Sequence, residues 1–148
     1  MSSISPTLPQ STYNTLIQRS IDLLQLYRHA ASSCEPGLKV VLDENAQTLA
    51  AMIGDLQAQL HASGGKPSRS GTMRGAMRRH IAGSLTRMAS HRDVAWIREL
   101  SDGESSLLHA FERVVAELPP ESALALRRQL PRLNSIHLDM DNLAGTAS

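Results

Sequence analysis

The sequence predicts an all-α protein: a four-helix bundle of two helical hairpins, with a short basic crossover helix between the pairs. Three observations carry this. Apolar residues recur at three- and four-residue steps through most of the chain. Aromatics are only 3% of the residues, so the 41% hydrophobic content is mainly Leu, Ala, Ile, Val and Met, which favours helix packing over a β-sandwich. Residues 61–93 separate the two pairs, far more chain than a tight turn needs.

Residues 1–10 read as a flexible lead, because Pro6 and Pro9 discourage helix there. Ser11 or Thr12 is placed to cap the first helix, whose stripe runs Leu16/Ile17, Ile21, Leu23/Leu24, Tyr27, Ala30/Ala31 and Cys34. Glu35-Pro36-Gly37 breaks it, and Pro36 opens the second helix. There Leu38, Val41/Leu42, Asn45, Leu49, Met52/Ile53, Leu56 and Leu60 form one stripe, with Lys39, Asp43, Glu44 and Gln57 on the exposed side. Gly64-Gly65 ends it with a left-handed cap, and Pro67 prevents resumption.

A short third helix is expected from Thr72 to Ala89, with Met73, Met77, Ile81, Leu85 and Met88 on a thin apolar stripe. Ser90-His91-Arg92-Asp93 then fits a capping box that opens a long fourth helix. Its stripe is Ile97, Leu100, Leu107, Leu108, Phe111, Val114, Val115 and Leu118, and Glu104 stands in the gap with Gly103 beside it. Leu118-Pro119-Pro120 stops that helix. A fifth begins at Pro120-Glu121, with Leu124, Leu126, Leu130, Leu133, His137 and Met140 on its stripe. Pro131 falls inside this stripe and predicts a kink near Arg127 or a break. The domain is thus expected over 11–144, with a frayed C-terminus at 145–148. Two helical hairpins joined by one long connection are the layout of ferritin-like bundles.

The helix ending LQAQLHASGGKP (Leu56 to Pro67), the GTMRGAMRRH segment (Gly71 to His80), DVAWIRELSDGES (Asp93 to Ser105) and His137 together resemble an uncharacterised bacterial ferritin-like family, domain of unknown function 2383. The likeness covers most of the chain, from about Leu16 to Asn142, and rests on the order and spacing of these pieces. It implies a ferritin-like fold and no established reaction. The chain departs from the family pattern at four places. Asp22-Leu23-Leu24 stands for Asp-Gly-Glu, and Arg78-Arg79 for His-Arg. Asp102-Gly103-Glu104-Ser105 stands for Arg-Gly-Glu-Asp, and His137-Leu138 for His-Asp.

A ferritin-like di-iron site needs a Glu from each of two helices and a Glu-x-x-His from each of the other two. Here the second helix offers Glu44-Asn45-Ala46-Gln47 without a histidine, and the last has Asn134 three residues before His137. Glu104 and His137 are the metal-ligand candidates that remain. The expectation is no cofactor, with a single adventitious ion as the most such a set would hold. The bland reading of the two is a buried polar pair, with Tyr27 or Asn45 as further partners for the acid. His29, His61, His80, His91 and His109 read as surface histidines.

No acid occurs between Asp55 and Asp93, where Lys66, Arg69, Arg74, Arg78, Arg79, Arg87 and Arg92 all fall. Arg69, Arg74, Arg78, Arg79 and Arg87 are the anion-binding candidates, although no aromatic residue accompanies them to stack on bases. The bland reading is that they are solvated or paired with acids such as Asp55, Glu99 or Glu112. The net charge of +1 gives no general pull toward nucleic acid or lipid. Cys34 is the single cysteine, so neither a disulfide framework nor a cysteine zinc site is available within the chain. Gly-x-Ser-x-Gly, a dinucleotide fingerprint and a phosphate loop are missing. No apolar run approaches the roughly 20 residues of a membrane span. The expectation is a cytoplasmic, non-catalytic binding or interaction module. It forms a homo-oligomer, a dimer, with an anionic or protein partner at the crossover segment. The alternatives are a metal-carboxylate oxidoreductase and a binder of DNA or another polyanion.

Overall fold

The computed structural model describes residues 9–72 and 92–147. They form five helices: α1 (Gln10–Ala31), α2 (Pro36–Ala62), α3 (Arg92–Glu117), α4 (Pro120–Arg127) and α5 (Leu130–Ala147). Residues 73–89 of the expected crossover helix, with Met73, Met77 and Met88, lie outside the described residues, as do residues 1–8 of the expected lead and Ser90 and His91 of the capping box, while Gln10, expected in the lead, is the first residue of α1.

Helix α1 begins one residue before Ser11, and neither Ser11 nor Thr12 caps it. Pro9 holds the entry instead, and its carbonyl accepts from Tyr13 N at 3.0 Å to start the ladder. Pro36 opens α2 from its first turn, where a missing N–H costs nothing. The end of α2 follows the sequence expectation closely. Gly64 has φ +93°, Gly64 N donates to His61 O at 3.0 Å, and Gly65 N donates to Leu60 O at 2.9 Å. This pair of bonds is a Schellman cap, which satisfies carbonyls that the helix end leaves free.

The fifth helix expected from sequence is broken in two. The chain turns at Arg128 and Gln129, with Gln129 N bonded to Leu126 O at 3.0 Å, and Pro131 sits in the first turn of α5. Leu124, expected on the inner stripe, is 48% exposed, because it stands two residues from the buried Leu126 and so on the opposite face of α4, while Ile136 is buried beside Leu133 and Met140. Helix α5 is continuous to Ala147, with Leu143 and Ala144 packed against the core.

Long-range bonds fix the directions of the helices. Tyr13 near the start of α1 donates to Ser122 O beyond the end of α3, and Tyr27 near the end of α1 reaches Glu104. Helices α1 and α3 are therefore antiparallel. Asn14 bonds to Lys66 just past α2, so α1 and α2 are antiparallel as well. Ser101 meets Asp141, and Asp55 meets Arg132, which orients α5 against both α3 and α2. Helix α1 packs on α2 and α3, and α5 closes the ring against α3 and α2. Helices α2 and α3 thus run parallel across the diagonal. The end of α2 and the start of α3 lie at opposite ends of the bundle, so their connection must travel its length. The core comprises Leu16, Ile17, Tyr27, Leu42, Leu49, Met52, Leu56, Trp96, Leu100, Phe111, Leu133 and Met140, all nearly inaccessible.

Gly64→Ala tests the cap. The position has open space around it but a left-handed backbone, so the variant should lose about 1–2 kcal/mol of stability in denaturant unfolding without losing helix content.

Candidate functional site

The inner stripe of α3 sets the site. Leu100, Gly103, Glu104, Leu107 and Phe111 fall at helical spacing and are all buried. Glu104 is therefore carried into the core by its register, although a carboxylate there has little to solvate it. Its side chain is 0% exposed.

The neighbouring helices answer it from two sides. From α1, the fully buried Tyr27 donates its hydroxyl to Glu104 Oε2. From α5, His137 Nδ1 stands 3.5 Å from Glu104 Oε1. That separation is longer than a hydrogen bond, and neither atom has a hydrogen-bond partner among the described residues. The other imidazole nitrogen, Nε2, lies 3.4 Å from Asp141 Oδ2, and Asp141 Oδ1 accepts from Ser101 Oγ at 2.8 Å. The row Tyr27, Glu104, His137 and Asp141 thus crosses from the centre of the bundle to its surface, where Asp141 is 53% exposed.

Burial, and after it the charges of Asp141 and Asp139 on α5, together push the Glu104 carboxyl up to about 9. At neutral pH the group is a neutral acid. It can accept from Tyr27 with one oxygen while the other faces the imidazole. The arrangement can hold and exchange a proton.

The structure brings the two metal-ligand candidates, Glu104 and His137, together. It does not bring further carboxylates to them. Glu44 is exposed on α2, Asn45 takes the inner position there, and Asn134 is exposed on α5. Asp141 approaches the far nitrogen of His137, so it does not face the Glu104 side of the ring. Of the anion-binding candidates, Arg69 is exposed, while Arg74, Arg78, Arg79 and Arg87 lie outside the described residues. His29 and His109 are exposed, and the His29 ring meets Trp96 edge-on at 5.3 Å. His61 is exposed too, and His80 and His91 lie outside the described residues. A groove of about 390 Å³ occurs elsewhere, lined by Asp55, Gln59, Arg128, Gln129 and Arg132 at the α4–α5 break. The Asp55–Arg132 ion pair, 2.7 Å long and half-exposed, spans it.

The raised Glu104 value sets a pH dependence. The folded carboxyl binds its proton more tightly than the unfolded one, whose ordinary value is 4.5. Its contribution to stability is fully present below that value and is lost as pH rises toward about 9. Within that window this group should lower stability by up to about 1.4 kcal/mol per pH unit. Chemical unfolding across pH should show this slope, and Glu104→Gln should remove it and gain stability above neutrality.

The match to a known family covers residues 10–117. It therefore includes α1, α2, α3 and Glu104 but stops before α4 and α5. The likeness seen in the sequence around His137 falls beyond it. No curated protein and no solved structure matches the chain. No described helix is long and apolar enough to cross a membrane. On the matched length, the chain belongs to the family described as Domain of unknown function (DUF2383).

Proposed function

We propose that the protein is a ferritin-like bundle that serves as a binding or interaction module and forms a homodimer, its core retaining only a remnant of a metal-type ligand set. The observation that carries this reading is the pairing at the core. One carboxyl and one imidazole face each other at 3.5 Å, the acid is held from its other side by Tyr27, and Asp141 takes the far nitrogen. A carboxylate-bridged pair of metals needs several acids converging from different helices. The inner acids that would come from α2 and α5 are replaced by Asn45, which is buried, and by Asn134, which faces out. The donor set does not fit a di-iron centre. The parallel course of α2 and α3, which places the end of one and the start of the other at opposite ends of the bundle, supports the ferritin-like part of the reading.

A second reading has one observation in its favour. Glu104 Oε1 and His137 Nδ1 are close and both lack a hydrogen bond among the described residues, as two ligands of one mononuclear ion would.

Metal analysis of protein purified without chelator separates the two. The interaction-module reading expects no stoichiometric metal, and sedimentation should show a dimer. A stoichiometric ion that disappears in both Glu104→Ala and His137→Ala would establish the second reading. A bound pair of irons that turns over oxygen would overturn the first.

A further inference from the structure

Apart from the Glu104 row, α1 carries a second line of polar side chains with a separate job. Gln10, Asn14, Gln18 and Asp22 stand four residues apart and share one face of the helix. All four bond to residues 66–72, the first part of the crossover. Gln10 Oε1 accepts from Lys66 N at 3.1 Å. Asn14 Nδ2 donates to Lys66 O at 2.9 Å, and Asn14 Oδ1 accepts from Ser68 N at 2.7 Å. Gln18 Nε2 donates to Ser68 Oγ at 3.0 Å. Asp22 accepts from Thr72 N at 2.9 Å and from Thr72 Oγ1 at 2.6 Å. Gln57 of α2 completes the set by donating to Ser68 O at 2.9 Å.

Two features show that this is more than a collection of surface bonds. The first is commensurate spacing. Four residues of helix rise about 6.0 Å, and two residues of extended chain rise about 6.6 Å. Gln10 thus pairs with Lys66, Asn14 with Ser68, and Asp22 with Thr72, while Gln18 shares Ser68 with Asn14 and the chain bends at Ser70. The second is the pair of glycines bracketing the segment. A Cβ on Gly71 would collide with the Asp22 carboxylate, and one on Gly65 would meet Gln10 Oε1 at 3.1 Å and Leu60 Cδ1 at 2.7 Å. Most of the bonds engage main-chain atoms, and the side chains of Lys66, Arg69 and Ser70 are left exposed.

We propose that this row of α1 is a clasp that reads the main chain of residues 66–72 and so fixes the groove along which the chain leaves α2. The chain leaving α2 must return to the opposite end of the bundle before α3 can begin. The apolar core faces inward and does not select an outer groove for that return. The clasp selects one, on the α1–α2 face, and spends the backbone of residues 66–72 in doing so.

Hydrogen exchange on the full chain tests it. The amides of Lys66, Ser68 and Thr72 should be protected. Asn14→Ala should speed exchange at Ser68, and Gly71→Ala at Thr72, each by about five- to tenfold, the loss of one hydrogen bond. The core amides of α2 and α3 should be unchanged in both. Lys66→Ala and Arg69→Ala should leave the segment as protected as before, because their side chains are not read. The proposal fails if Asn14→Ala leaves Ser68 protected, or if the Lys66 and Arg69 changes release the segment equally. It fails too if Asn14→Ala unfolds the whole bundle, since the clasp would then not be a separable device.

Discussion

The constraint on which the centre of this bundle turns is an acid that has no water. Glu104 lies on the buried face of α3, and the helix cannot turn it outward without exposing Leu100, Leu107 and Phe111. An ionised carboxylate in such a place is expensive, so the group keeps its proton or takes a partner. Both responses are visible. Tyr27 covers one oxygen, and the raised proton affinity covers the charge. The polar row then continues through His137 to the surface. A nonpolar residue at this position would pack with less cost, so the acid is better understood as a chemical feature than as a contributor to stability.

This row ties together parts of the chain that are far apart in sequence. The acid comes from α3, its hydroxyl partner from α1 and its imidazole from α5. The family match ends at residue 117, so the matched stretch holds the acid and the tyrosine, but not the histidine. Helix α5 is nevertheless integral to the fold, because Leu133, Ile136 and Met140 close the core.

Topology raises a second demand. Parallel α2 and α3 cannot be joined by a turn, and the connecting chain carries main-chain groups that need partners wherever water is excluded. Side chains of α1 provide those partners, together with Gln57, for residues 66–72. Amides suit the task because each offers both a donor and an acceptor to a passing backbone.

Much of this was legible in the sequence. Periodicity placed the long helices, Pro36 and Gly64-Gly65 marked the boundaries of α2, and the interruption of the α3 stripe pointed to Glu104. Spacing alone also puts His137 on an inward stripe with Glu104, and offers Tyr27 as a partner for the acid. The choice of Tyr27 over Asn45, and the approach of Asp141 to the far side of the imidazole, were not legible. The expected inner stripe also misplaced Leu124, which stands opposite the buried Leu126 on α4, and passed over Ile136. The polar row on α1 carried no warning either: Gln10, Asn14, Gln18 and Asp22 look like an ordinary solvated face until residues 66–72 lie against them. Local chemistry thus determined which segments are helical and which residues turn inward, since both follow from spacing along one chain. Only the tertiary structure decided which buried groups meet and where residues 66–72 lie, because those outcomes depend on the relative placement of helices, which no single helix encodes.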